Sequence, residues 1–235
     1  MLKGMTFNGI RKSHIYLLEG RQKASFAPIS RNITSTRKGH RLKDSKHELL
    51  PISQPIGYIA SNDVDALEIK DELAEWLITK DVAPLQFDDE PGRTYWAVVQ
   101  NSIDDLSRLA FTRQGTIQFL CFYTTGATKS INVTTTSTNH TITGQTKTPW
   151  TIEVNFTADT NRFEFWAGDI YLQLNYNFKA GEKLIVNYTG RKVTLNGNDL
   201  RKAVSMSSNF EELTPGIVSV RASHAAKLIY DERYY

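Results

Sequence analysis

Between Gly181 and Gly197 the chain reads G-E-K-L-I-V-N-Y-T-G-R-K-V-T-L-N-G, two strand-length apolar alternations bounded by turn residues. Thr189-Gly190 reverses the chain between Lys183–Tyr188 and Arg191–Leu195. Asn196-Gly197 then closes the second strand, and both residue types tolerate the positive φ that a tight hairpin needs. A period of two with turns every few residues dictates a β-meander, and the same rhythm runs through the whole C-terminal half. Ser130–Thr136, His140–Gly144, Trp150–Phe156, Arg162–Trp166, Ile170–Asn175, Ile217–Ala222 and Ala226–Tyr230 are further strand candidates. No helix signal there exceeds Leu200–Val204, so residues 125–235 are expected to form a β-sandwich.

The first half is more mixed. Asn62 or Asp63 caps a predicted helix over about 63–80, in which Ala66, Ile69, Leu73, Trp76 and Leu77 make one apolar stripe. Pro84 forbids its continuation. Phe7–Ile10 and His14–Leu18 read as an opening hairpin. Asp89-Glu90-Pro91-Gly92 is a turn between the strands Pro84–Asp88 and Arg93–Gln100. Thr116–Tyr123 is apolar on both of its faces, which predicts a central strand buried on both sides. From about 20 to 55 apolar residues are sparse, and such a stretch is either a flexible loop or a long extended arm. The recurrence of Ile29, Ile33, Leu42 and Leu49-Leu50 favours an arm that finds a partner surface. Residues 1–124 and 125–235 are accordingly expected to be two domains.

Charge is segregated along the chain. Residues 1–50 carry eleven Lys/Arg against three Asp/Glu, whereas residues 51–112 carry four against twelve, in a chain of net charge +3. Such blocks point to pairing within the fold or between neighbouring copies. The basic arm (Arg31, Arg37, Lys38, Arg41, Lys43) and the acidic helix and turn (Asp71, Glu72, Glu75, Asp88, Asp89) are the candidate inter-subunit surfaces.

Chemistry is harder to place. Asp88-Asp89-Glu90 and Asp104-Asp105 lack the apolar setting that raises a general acid's pKa. The five histidines show no metal-ligand spacing, and the single cysteine, Cys121, sits in an apolar strand as an inert buried thiol. One cysteine also excludes an internal disulfide and suits synthesis in a reducing compartment. No signal peptide or membrane span is read from the apolar runs. Arg37–Lys46 is basic enough to attract phosphate, yet it lacks aromatics for base stacking, so no specific nucleic-acid partner is expected. No catalytic residue, cofactor or metal is expected.

Several motifs together resemble one family. Phe7-Asn8-Gly9, the basic arm, a helix near residue 70, F-D-D-E-P-G-R-x-Y at 87–95 and Gly115-Thr116-Ile117-Gln118-Phe119-Leu120-Cys121 come first. Then follow R-K-V-x-L-N-G at 191–197, F-E-E-L-T-P-G at 210–216 and Y-D-E-R-Y at 230–234. In order and spacing they resemble the distal tail proteins (Dit) of siphophages. One departure is Phe122-Tyr123-Thr124, where that family often has an Asp-Pro-Tyr corner. The resemblance implies a mainly β protein without catalysis: an N-terminal tail-tube-like domain with one helix and a long arm, and a C-terminal galectin-like β-sandwich. It implies a homohexameric ring at the virion tail tip, a baseplate hub between the tail tube and a fibre or tail-associated lysin protein, encoded by a phage or prophage and made in the bacterial host cytoplasm. The last few residues either close the sandwich or return to the N-terminal domain. The alternative reading is an adhesin that takes host cell-wall glycan through the sandwich. Trp150, Glu153 and Asn155 approach the galectin sugar signature, with Asn in place of its Arg, although the alternation of the strand suits Trp150 to a core position.

Overall fold

The computed structural model describes residues 4–100, 107–109 and 112–235. The chain divides into two compact units, Met1–Thr125 with Tyr235, and Gly126–Tyr234.

In the first unit the strands are β1 (Met5–Phe7), β2 (Tyr16–Leu17), β3 (Gln22–Lys23), β4 (Ile29–Thr36), β5 (Gly39–His47), β6 (Leu50–Ile59), β7 (Ala83–Phe87), β8 (Thr94–Val99) and β9 (Ser107–Leu109). Helix α1 (Asp63–Leu77) separates β6 from β7, and β10 (Thr112–Val133) begins here and runs on into the second unit. β1, β7, β8 and β10 lie side by side in that order. On its other edge β10 pairs with β6 through ten antiparallel partners from Thr112↔Ile59 to Cys121↔Leu50, and β6 in turn carries β2 and β3. Alternation sends Ile52, Ile56, Ile117, Phe119, Ala97 and Leu85 into one core. The helix closes that core with Leu73, Trp76 and Leu77, and the Trp76 indole N–H donates to the Phe7 carbonyl at 3.1 Å.

The helix starts where its chemistry dictates. The Asn62 side chain accepts from the Asp65 amide, and Asp65 accepts from the Ser61 amide, satisfying donors that a helix N-terminus leaves orphaned. It ends at Leu77, before the expected 80, because Ile78 turns extended (ψ 106) on the way to β7.

Three expectations need correction. The opening residues form no hairpin with one another: β1 pairs with β7 and β2 with β6. Asn8-Gly9 makes a tight reversal between Phe7 and Ile10, but the chain then leaves for more apolar partners far along the sequence. Nor is the 116–123 strand buried on both faces. Ile117, Phe119 and Cys121 are buried, while Phe122 and Tyr123 are exposed, Phe122 lying where the β8–β10 register shifts. Third, the 20–55 stretch is no single arm. Its centre is a two-stranded antiparallel sheet, β4 with β5, paired to no other strand among the described residues, and its end is the core strand β6.

In the second unit the strands are β11 (Thr138–Ile142), β12 (Trp150–Asn155), β13 (Thr160–Ala167), β14 (Ile170–Phe178), β15 (Lys183–Asn187), β16 (Lys192–Leu195), β17 (Asn198–Asp199), β18 (Gly216–Ala222) and β19 (Ala226–Tyr234). One sheet runs β19-β12-β15-β16-β17 with the end of β10 beside β19, and the other runs β11-β18-β13-β14. Ile152, Val154, Leu184, Val186 and Leu228 from the first meet Phe163, Phe165, Leu172, Leu174 and Val220 from the second in one buried cluster, the core of a β-sandwich. Asn196 and Gly197 take φ of 49° and 85° at the β16–β17 turn, as a two-residue hairpin loop requires. Leu200–Val204 yields only a 3-10 turn over Arg201–Ala203.

Candidate assembly interface

The β4–β5 hairpin is built from alternating residues, so its two faces differ. Ile29, Arg31, Ile33 and Ser35 share one face with their partners His47, Ser45, Leu42 and His40. The contact between Ser35 Oγ and His40 Nδ1 at 3.3 Å fits that assignment. Ser30, Asn32 and Thr34 share the other face with Lys46, Asp44 and Arg41, and Lys43 is the extra residue of a bulge opposite Asn32 and Ile33. Every residue of β5 is exposed, as is all of β4 but Thr34. Arg31, Arg37, Lys38, Arg41, Lys43 and Lys46 make no ion pair among the described residues.

The acidic candidates divide into two groups. Asp88 accepts both guanidinium nitrogens of Arg11 at 2.7 Å and the Gly4 amide at 2.8 Å. The Arg11 hydrogen bonds hold its carboxyl below the usual carboxylate range. Glu72 accepts from Lys12 at 2.5 Å and faces His14 at 3.0 Å, and the Lys12 contact lowers its pKa. Asp89 accepts from Arg21 at 2.9 Å. These three acids are therefore engaged inside their own unit. Asp71 and Glu75, together with Glu68, stand exposed on α1 and pair with no cation among the described residues.

A polar cluster that sequence reading missed lies at the 88–91 turn. Arg21 donates to Gln54 at 2.6 Å, to Glu90 at 2.9 Å and to Asp89, with its guanidinium carbon 3.8 Å from the Phe87 ring centroid. Lys23 donates to Glu90 at 2.6 Å and to Tyr95 Oη at 2.5 Å, and the Tyr95 hydroxyl donates to Glu90. Burial pushes the Glu90 carboxyl up, but the Lys23 and Tyr95 hydrogen bonds outweigh it and leave the pKa lowered. Burial and Glu90 together push the Tyr95 phenol up. Only the acids of this cluster were visible as a pattern, because its cations come from residues more than sixty positions away.

Trp150 is buried, donates its indole N–H to the Glu211 carbonyl at 2.8 Å and stacks on Phe210. Glu153 and Asn155 point to the opposite face of β12, where Glu153 meets Lys183 at 3.1 Å, so the three residues share no surface. Burial raises the Cys121 thiol pKa, in keeping with an unreactive core residue. Asp104 and Asp105 lie outside the described residues.

The comparisons with known proteins agree with the two-unit fold. Residues 15–121 match the family model of the phage tail protein RIFT-related domain, and residues 143–234 match that of the siphovirus-type tail component, C-terminal domain. The distal tail protein of Bacillus phage SPP1 is 27% identical over 172 residues, which are 69% of this chain and 68% of that protein. The crystal structure of SPP1 Dit superposes with a TM-score of 0.89 at 19% identity, covering 100% of both chains. A chain of the phage P2 baseplate in its activated conformation with Ca superposes with a TM-score of 0.61 at 7% identity, over 99% of this chain and 98% of its own. With both halves matched in order by tail-component models and the whole fold matched to SPP1 Dit, the chain belongs to the family of siphophage distal tail proteins and is a structural component of a phage tail.

Proposed function

We propose that this protein is a non-enzymatic baseplate hub whose copies close into a hexameric ring at the tail tip. The ring joins the tail tube to a tail-tip fibre or tail-associated lysin protein. Residues 1–124 form the ring, and residues 125–235 face the adjoining tail proteins. The observation that carries this reading is the β4–β5 hairpin. An isolated two-stranded sheet is marginal in water, and among the described residues this one has no third strand and its six cations make no ion pair. The arm's cations find no counter-charge among the described residues of their own chain; the neighbour supplies it through Asp71 and Glu75, which pair with no described cation. Arm and helix are different surfaces of one subunit, and a contact between different surfaces builds a ring when its rotation closes.

Sedimentation velocity on the full chain tests this. Reversal of Arg37, Lys38 and Arg41 to Glu is expected to shift a ring-sized boundary to that of the monomer without loss of β-sheet circular dichroism. An unaltered ring boundary in that variant would remove the basic arm from the account.

A further inference from the structure

Helix α1 buries one side and leaves another apolar side open. At 100° per residue Val64, Leu67, Asp71 and Ala74 fall on one arc, which the C-cap residue Ile78 continues, flanked by Glu68 and Glu75 and opposite the buried Ala66, Leu73, Trp76 and Leu77. Val64, Leu67 and Ile78 are 69%, 58% and 78% exposed. An exposed helix side normally carries charged and polar residues, so three large aliphatic groups in one line call for a cover.

The hairpin offers a matching surface. On its apolar face Ile29, Ile33 and Leu42 are 38%, 58% and 54% exposed, with Arg31 between Ile29 and the Ile33–Leu42 pair. Ile29 and Ile33 stand about 13 Å apart along the strand at ~3.3 Å per residue, with Arg31 midway. Leu67 and Ile78 stand about 16 Å apart at ~1.5 Å per residue, with Asp71 and Glu75 between them. Both surfaces therefore read apolar, charged, apolar over comparable lengths, with opposite signs in the middle.

We infer that the apolar face of the hairpin of one copy seats on the open stripe of α1 of the next copy, Ile33 and Leu42 against one aliphatic end and Ile29 against the other, with Arg31 reaching Asp71 or Glu75. This rests on the ring reading above and narrows it. The seat is the helix, and the 88–90 turn, whose acids are already engaged with Arg11 and Arg21, lies outside it. Exposed ion pairs add little affinity. Apolar contact supplies the binding, and the central charges set register and polarity.

The test uses two full-length proteins, both Cys121→Ala: one with Ile33→Cys and the other with Leu67→Cys. They are mixed and treated with a short bismaleimide cross-linker, and the mass of the mixture is measured by light scattering. The expected result is a covalent two-chain product at least ten-fold more abundant than with either protein alone, because the contact joins unlike surfaces. In the same assay Asp71→Arg combined with Glu75→Arg lowers that yield, and Arg31→Glu in the partner restores it. A ring-sized mass with no excess of mixed product would overturn the inference and leave the ring reading standing. A monomeric mass at every concentration, without cross-linking, would overturn both.

Discussion

Ile33 and Leu42 face each other across the β4–β5 hairpin, and both are more than half exposed in the single chain. A cross-strand aliphatic pair stabilises a sheet when it is covered, and here the pair is left largely open among the described residues. Replacing both by Ser is therefore expected to leave the unfolding free energy within about 0.5 kcal/mol per site of the parent, as at other exposed positions. Self-association is expected to weaken sharply. Chemical denaturation of dilute protein checks the first, and concentration-dependent light scattering the second.

Arg21 ties three segments together, and its loss is expected to act on the first unit alone. Arg21→Ala leaves the buried Gln54 Oε1 without its donor and removes the contact over Phe87. An unsatisfied buried acceptor costs about 1–3 kcal/mol. Hydrogen exchange should show faster opening of amides in β6–β8 and unaltered protection in β12–β15. Uniform loss in both units would argue against this local role.

Three engaged carboxylates of the first unit set an acid limit. The carboxyl pKa values of Glu90, Glu72 and Asp88 are all lowered in the folded protein. A depressed carboxylate contributes stability that is present above its unfolded value, about 4, and lost as pH falls through the folded value. The first unit is thus expected to lose stability on going from pH 5 to pH 3. Glu90→Gln should be less stable than the parent at pH 7 and show a shallower decline. Melting curves across that range, with an equal slope in both proteins, would count against Glu90 as a contributor.

Trp150 is a packing residue. Trp150→Ala is expected to cost about 3–5 kcal/mol, as for other buried aromatic truncations. The parent protein should give no glycan-array signal that depends on this side chain. A sugar whose binding is lost in Trp150→Ala at unchanged stability would contradict the buried placement.

Much of this was legible in the sequence where local chemistry decides the outcome. The Asn62 cap, the Ala66–Leu77 stripe and the Asn196-Gly197 turn each depend on residues a few positions apart, and all appear in the structure. The pairing of β1 with β7 was not legible, because Phe7 chooses Leu85 for burial, and no local signal encodes that distance. The hydropathy of Thr116–Tyr123 suggested burial on both faces, since composition does not distinguish a face covered by the chain from one left open at Phe122. The charge blocks pointed to the arm and the helix. They did not separate Asp88, Asp89 and Glu72, consumed by nearby cations, from Asp71 and Glu75, which are not.

The most direct test of the central claim is the absolute mass of the unmodified full-length protein by multi-angle light scattering, at low and high salt, with negative-stain images of the same peak. A six-subunit mass and ring-shaped particles are expected at low salt, with the oligomer weakened as screening shortens the reach of the arm's charges. A single-subunit mass at all concentrations and both salts would contradict it.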